Sequence, residues 1–312
     1  MESVKGRRVV SVIIVSYNTK ALLRECLKAV RASTHASTIE LVVIDNASRD
    51  GSPDELEGAF PDVRLIRSEH NLGFAAANNR AAESTDGELL LLLNPDTVVL
   101  DGAIDRLVEF ARRRPEAGIW GGRTLNAARE LDPSSCWQRQ TIWNTFCRGV
   151  GLSGLFPDSG LFNAEAYGGW ARDTEREVDI VSGCFLLITR DLWRRLGGFD
   201  EAFFMYGEDA DLCLRARALG ARPAITPRAT IVHYGGASET VQPDKMVRLL
   251  RAKVQLVRRH WRPLTRWWGV SMLRLWALTR AIRERRRKPR SAPANWTQVW
   301  ARRSEWTGGL AG

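Results

Sequence analysis

The chain of 312 residues is long enough for one large domain or two small ones. Its 44% hydrophobic and 26% charged residues exclude a collagen-like, disulfide-scaffold or wholly disordered protein. The formal charge of +10 is uneven: residues 241–312 hold 18 Lys/Arg against 3 Asp/Glu, a balance of +15, and the first 240 residues carry −5.

Near the start, Arg7-Arg8 precede an apolar run, Val9 to Val15, which ends in Ser16-Tyr17-Asn18 without a small-residue cleavage pattern. It reads as a buried strand and not as an export signal. Further strands are predicted at Ile39–Asp45, Val63–Arg67 and Glu88–Leu93, with helices between them at Lys20–Ala32, Ser52–Phe60 and Gly73–Glu83. Ser52 is the expected N-cap of the second helix. Strands alternating with helices predict an α/β fold with a mostly parallel sheet covered on both faces. A helix from Asp101 to Arg114 stops at Pro115, and a weaker strand, Gly118 to Gly121, follows. The stretch from Arg123 to Glu177, rich in Gly, Pro, Trp and Asn, shows no regular pattern. Beyond it come a long strand from Val178 to Thr189 interrupted by Ser182-Gly183, a short helix near Asp191 to Leu196, and a helix from Asp209 to Leu219 closed by Gly220.

The last quarter is basic and helical. Met246, Leu249, Leu250, Val254, Val257 and Trp261 keep helical spacing; Pro263 ends that segment, and a second helix runs from Leu264 to Arg287. Its apolar stretch of about twelve residues is too short for a bilayer, which needs ~20. A basic cluster, Arg283 to Arg290, follows, and the chain after Ser291 reads as poorly ordered apart from its Trp residues. Two units are therefore expected, 1–239 and 240–312. Seven of the twelve Trp lie in the second. Its charge and aromatic content suit an anionic membrane surface, to which it would anchor peripherally. Packing of the basic helices on the first unit is the plainer reading. Nucleic acid is not an expected partner, because no helix-turn-helix, zinc-finger or RNA-recognition signature accompanies the charge. Five well-spaced cysteines without a C-x-x-C pair fit a reducing, cytoplasmic compartment.

Three acidic groups stand at or just beyond the carboxyl ends of predicted strands, where open α/β sheets bind ligands. Asp45, in Val-Val-Ile-Asp-Asn-Ala-Ser-Arg-Asp-Gly-Ser, is placed to accept a hydrogen bond from the imide N–H of a pyrimidine base; an ordinary strand-to-helix turn is the alternative. Asp96, in Asn94-Pro95-Asp96-Thr97 after five consecutive leucines, is placed to hold Mg²⁺ or Mn²⁺ together with substrate phosphates. Glu208, Asp209 and Asp211 crowd a helix N-terminus behind Phe203-Phe204-Met205-Tyr206. There an aromatic shield would raise one carboxylate towards the range of a general base, although favourable interaction with the helix dipole explains part of the clustering. His233, ending another apolar strand, is a candidate metal ligand.

In order, these residues resemble the family 2 glycosyltransferases, which have the GT-A fold. The resemblance covers roughly Val9 to Ser238 and includes Val-Ser-Tyr-Asn at 15 to 18, the Asp45 to Ser52 motif, Asn-Leu-Gly-Phe at 71 to 74, Asn-Pro-Asp-Thr at 94 to 97, Gly-Gly-Phe-Asp at 197 to 200 and Gly-Glu-Asp-x-Asp-Leu at 207 to 212. The wording is similar to the bacterial branch rich in rhamnosyltransferases. The resemblance implies a metal-dependent, inverting glycosyltransferase in which Asp45 contacts the base and Asp96 binds the metal as the last acid of a D-x-D element. Asp209 is then the catalytic base, with Glu208 the second candidate. The nucleotide-sugar contacts would come from Ser16, Tyr17, Asn18, Asp45, Asn46, Asn71, Gly73, Asn78, Asn79, Asn94 and Asp96, with His233 as a further metal ligand. Two departures stand out. Asn94 replaces the first acid of D-x-D, and Ala77-Asn78-Asn79 stands where many members have Ala-Arg-Asn. The missing arginine turns suspicion from UDP-sugars to a dTDP-deoxysugar such as dTDP-rhamnose. The implied acceptor is a polysaccharide or polyprenyl-linked glycan of the cell surface, met at the inner face of the cell membrane. The rivals are a sugar nucleotidyltransferase, whose usual Gly-rich phosphate loop is replaced here by Ser16-Tyr17-Asn18-Thr19-Lys20, and a non-catalytic binding protein of the same fold.

Overall fold

The computed structural model describes residues 9–235, 242–286 and 296–310. In chain order its elements are β1 Val9–Ser16, α1 Lys20–Ser33, β2 Thr38–Asp45, α2 Ser52–Ala59, β3 Arg64–Arg67, α3 Gly73–Glu83, β4 Leu89–Leu93, β5 Thr97–Val99, α4 Ala103–Arg113 and β6 Ile119–Leu125. There follow β7 Leu131–Asp132, β8 Cys136–Trp137, α5 Ile142–Val150, α6 Leu152–Leu155, β9 Arg176–Glu177, β10 Ile180–Val181 and β11 Phe185–Thr189. The chain continues through α7 Arg190–Leu196, α8 Glu208–Ala218, β12 Ala224–His233, α9 Gln242–His260, α10 Pro263–Arg286, α11 Trp296–Ala301 and α12 Arg303–Thr307.

The main sheet runs β3-β2-β1-β4-β11-β6-β12-β5. Its first four strands are parallel, as are β6 and β12, whereas β11 lies antiparallel to both β4 and β6, and β5 antiparallel to β12. Side chains alternate between the two faces, as strand geometry requires. Val12, Ile14, Val43, Leu89, Leu91 and Leu93 face α1 and α4, while Ile13, Val42, Ile44, Leu90 and Leu92 face α3 and α8. Every leucine of β4 is buried, so the strand is apolar on both faces, and each side chain contributes ~2 kcal/mol of burial. Polar side chains therefore gather where the strands end, as Ser16 of β1 and Asp45 of β2 do.

Three local expectations are corrected. The stretch from 178 to 189 is two strands in two sheets, because the Gly183 amide bonds to the Asp209 carboxylate instead of a neighbouring strand. Gly51, in the left-handed conformation at φ +76°, holds the cap position of α2, and Ser52 is its first helical residue, its hydroxyl donating to Asp50. Residues 296–310 form two ordered helices: Val299 and Trp306 are buried against α9 and α10, and Glu284 accepts the amides of Trp296 and Thr297. The part of the basic cluster beyond Arg286 lies outside the described residues.

The basic extension is packed, not trailing. Ala252 and Leu256 of α9 join the same apolar cluster as Leu212 and Cys213 of α8. The opposite stripe, Val247, Leu250, Val254 and Val257, makes a further core with Leu273 and Trp276 of α10. All five cysteines are buried free thiols.

Candidate active site

Asp45 ends β2 beside Ser16 of β1. Its carboxylate is buried. One oxygen accepts the Ser48 amide at 3.0 Å, and the other, Oδ1, has no hydrogen-bond partner. An unpaired buried carboxylate oxygen is costly, and this one keeps the capacity to accept an N–H or O–H donor.

Around it, asparagines lock the loops. Asn18 Oδ1 accepts the Arg49 amide at 2.8 Å, fixing the turns after β1 and β2 to each other. Asn46 accepts the Leu72 amide and donates to the Gly73 carbonyl at 3.0 Å, and Asn71 accepts the Gly73 amide. Gly73 has φ +79°, and a Cβ there would come within 2.5 Å of the Phe204 carbonyl oxygen, so no other residue fits without displacing that loop. The Phe74 amide donates to the same carbonyl at 2.8 Å, which binds the start of α3 to the segment leading into α8.

Several residues expected to contact the donor also hold the fold together. Ser16 bonds to Thr19 and is buried; Asn46 bridges loops; Asn78 donates to the Phe74 carbonyl; Asn79 clamps both backbone groups of Phe199 and the Glu201 carboxylate. Their amides were legible as polar residues near strand ends, but nothing in the spacing showed that they turn inward. Tyr17, which stays exposed, and Asn94 and Asp96 remain at the sheet edge.

The second acid follows β4. Asp96 is buried with Oδ1 3.2 Å from His233 Nε2, and Asn94 Nδ2 lies 3.3 Å from the same nitrogen. Antiparallel pairing of β5 with β12, Thr97 opposite His233, holds the pair together. The third acid joins through main chain: the Asn94 amide donates to the Cys184 carbonyl at 3.1 Å, and the adjoining Gly183 amide donates to Asp209 Oδ2 at 3.0 Å. Asp96 and Asp209 therefore flank one short strand start. The buried Cys184 thiol is pushed up to about 12 by burial, with both carboxylates adding to the shift, so each is within electrostatic reach of it.

At the head of α8, Tyr206 and Gly207 both have positive φ, +72° and +89°. A non-glycine residue in that region stores strain of the kind that clusters at functional sites. The turn buries Glu208, whose Oε2 has no hydrogen-bond partner. Burial, then the neighbouring Asp209 charge, pushes the Glu208 carboxyl well above the ordinary range. Asp209 is half-buried, and burial raises it too, against the opposing effect of the Gly183 and Ala210 amides. Asp211 differs: burial alone would raise it, but His260 at 2.9 Å and Arg215 at 2.7 Å outweigh burial and hold it below the usual value. It is a structural acid joining α8 to α9.

Sequence reading missed a buried triad behind this helix. Lys253 of α9 lies 2.5 Å from Glu165, which also pairs with Arg148 at 2.9 Å. Burial holds the lysine below its ordinary value, while its charge draws Asp209 down. The signal was slight: Lys253 sits between two residues that are both apolar, inside a helix buried on two sides.

Among the described residues no group of three or more His, Cys, Asp or Glu side chains is placed to bind a metal. Asp96 and His233 supply two ligands of suitable chemistry, and hard divalent cations commonly complete such partial sets with substrate phosphates. A hollow of about 460 Å³, lined in part by Arg31, Glu40, Asp62 and Arg64, opens at the other end of β2 from Asp45, and its charges include the Arg31–Asp62 ion pair.

The comparisons with known proteins bear on the family and the fold. Residues 11–163 match the model of Glycosyl transferase family 2. The N-acetylglucosaminyl-diphospho-decaprenol L-rhamnosyltransferase of Mycobacterium tuberculosis is 29% identical over 90% of this chain and 96% of its own. The O-antigen biosynthesis protein RfbC of Myxococcus xanthus is 30% identical over 75% of this chain, which spans only 18% of that protein's length. Among solved structures, a mannosyltransferase from Pyrobaculum calidifontis in complex with GDP-Man and Mn²⁺ superposes with a TM-score of 0.59 at 19% identity, over 97% of this chain and 87% of its own. The S. aureus TarS fragment in complex with UDP gives 0.53 at 15%, over 88% and 72%. Residues 11–163 thus form a family 2 glycosyltransferase domain on a GT-A fold, and the chain is similar to relatives named for rhamnosyl transfer and O-antigen biosynthesis.

Proposed function

We propose that the protein is an inverting sugar transferase that moves a deoxyhexose, with rhamnose from a dTDP donor as the leading case, to a hydroxyl of a lipid-linked or polysaccharide acceptor. The observation that carries this reading is that Asp45, Asp96 and Asp209 stand at the same edge of the sheet, by the carboxyl ends of β2 and β4 and the start of β11. The free oxygen of Asp45 would accept the imide N–H of the base. Asp209, held above the usual carboxylate range by burial, would take the proton of the acceptor hydroxyl as that oxygen attacks the anomeric carbon and the nucleoside diphosphate departs. A divalent cation on Asp96 and His233 would supply charge neutralisation for the leaving diphosphate. Glu208, buried and without a partner on Oε2, is the alternative base.

The donor sugar and the prenyl-linked acceptor are favoured by the named activity of the mycobacterial relative, and the dTDP nucleotide by the absence of an arginine at Asn78. An acceptor of that kind places the enzyme at the cytoplasmic face of the cell membrane, with the basic helices of the extension against anionic head groups at ~1 kcal/mol per basic side chain. No helix among the described residues is long and apolar enough to cross a bilayer.

The test is calorimetric titration with UDP, dTDP and GDP, with and without Mn²⁺, followed by hydrolysis assays on a panel of nucleotide-sugars. Tightest binding of dTDP in the presence of Mn²⁺ is expected. Absence of binding to any nucleotide would end the proposal, and binding without turnover of any sugar would favour a non-catalytic role.

A further inference from the structure

The tryptophans of the extension do not form the exposed face that its composition suggests. Trp276 and Trp306 are buried, Trp296 packs on Trp276, and Trp300 packs against the same core. The exposed apolar surface lies elsewhere and is shared by two parts of the chain. A ladder of ring contacts runs Trp267–Trp268–Phe146–Trp143–Phe162–Phe156, with centroids 5.1 to 6.4 Å apart, and so joins α10 to α5 and to the loop after α6. Along it Leu264 is 86% exposed, Trp267 66%, Leu155 64%, Leu161 60%, Phe156 48% and Trp143 44%. Isolated exposed apolar residues are ordinary; six large ones on a connected aromatic strip are not.

The charge beside this strip is mainly positive, although exposed Asp158 lies in the loop between Phe156 and Leu161. Helix α10 carries six arginines and one acid, Glu284, whose carboxylate is engaged by the amides that open α11. Arg283 and Arg280 approach the turn between α5 and α6: a Cβ on Gly151 would come within 2.9 Å of the first, and one on Gly154 within 3.9 Å of the second. Apolar and aromatic side chains edged by arginines match the interfacial zone of an anionic bilayer, where rings and leucines enter the acyl boundary and guanidinium groups remain among the phosphates.

We infer that the strip formed by residues 143–161 together with Leu264 and Trp267 is the part of this protein that inserts into an anionic membrane surface. This rests on the membrane reading proposed above but relocates the contact: four of the six exposed side chains, Trp143, Leu155, Phe156 and Leu161, come from the region of α5 and α6 between β8 and β9, and not from the extension.

Sedimentation of the full-length protein with vesicles of phosphatidylcholine alone and of phosphatidylcholine with 30 mol% phosphatidylglycerol (about that fraction suffices to give a negative surface) tests it. Two variants accompany the wild type, Leu155→Ser/Phe156→Ser/Leu161→Ser and Leu264→Ser/Trp267→Ser, with circular dichroism and gel-filtration mass checking that each remains folded. The wild type is expected to prefer the anionic vesicles, and each variant to bind roughly tenfold more weakly, since each loses two or three apolar groups that would enter the acyl boundary. Wild-type binding with the 155/156/161 variant unchanged would overturn the inference while leaving an anchor in the extension intact. No wild-type binding to either vesicle would overturn both. A concentration-dependent dimer that is lost in the variants, without vesicle binding, would assign the strip to a second copy of the chain and also overturn the inference. Nucleotide binding is measured on the same samples, so the glycosyltransferase reading is judged separately.

Discussion

Lys253 and Glu165 form a buried ion pair 2.5 Å apart, and the lysine comes from the basic extension while the glutamate comes from the irregular region before β9. The pair sits behind α8, where the lysine's positive charge reaches Asp209. Lys253→Met is therefore expected to raise the acidic limb of the pH–rate profile, because the base loses a cation that favours its ionised form. Stability should fall by about 3 kcal/mol, since Glu165 keeps only Arg148 as a buried partner. Urea unfolding and a pH profile of transfer check the two effects separately, and an unshifted profile would confine the pair to a structural role.

Asp209→Asn should retain nucleotide binding and lose transfer by about two to four orders of magnitude, the range for a general base. Asp96→Ala should weaken nucleotide binding in Mn²⁺ as well as transfer. Calorimetry alongside a donor-turnover assay distinguishes them. If Asp209→Asn turned over near the wild-type rate and Glu208→Gln did not, the base would be Glu208.

Glu208 has a folded-state pKa raised above its ordinary value of 4.5. A raised carboxyl contributes stability that is complete below the unfolded value and lost as pH climbs through the folded one. Glu208→Gln should therefore be more stable than wild type at pH 8, with the gain shrinking to nothing near pH 4. Thermal unfolding across that range gives the answer, and a pH-independent difference would contradict the assignment.

Asn79→Ala removes three hydrogen bonds to Phe199 and Glu201. A loss of about 2 kcal/mol of stability with unchanged nucleotide affinity is expected, given ~1 kcal/mol for a typical hydrogen bond. A selective loss of nucleotide affinity at full stability would restore Asn79 as a donor contact.

Gly73→Ala meets both an unfavourable φ and the Phe204 carbonyl. Destabilisation of about 1–3 kcal/mol and reduced transfer are expected, because relief of the clash shifts the segment that presents Glu208 and Asp209.

Most of the parallel half of the sheet was readable because β1, β2 and β4 are continuous apolar runs bounded by polar turns, which only a doubly covered strand can bury. The three acids were readable for the same reason: each interrupts or follows an apolar segment. What escaped was what depends on partners distant in sequence. Gly183 looks like a flaw in a long strand until Asp209, 26 residues on, claims its amide. The structural partner of Asn79, Phe199, stands 120 residues on and leaves no trace in the local spacing. Lys253 looks solvated because its pairing with Glu165 spans 88 residues.

The hydrogen bond from the Phe74 amide to the Phe204 carbonyl is made by main chain on both sides. Apart from proline at 74, no exchange of side chains removes its donor or acceptor, so the start of α3 and the segment leading into α8 are tied by backbone alone. Exposed side chains around that tie, Tyr17 and Phe204 among them, can therefore be exchanged while the backbone frame between the two segments stays as it is.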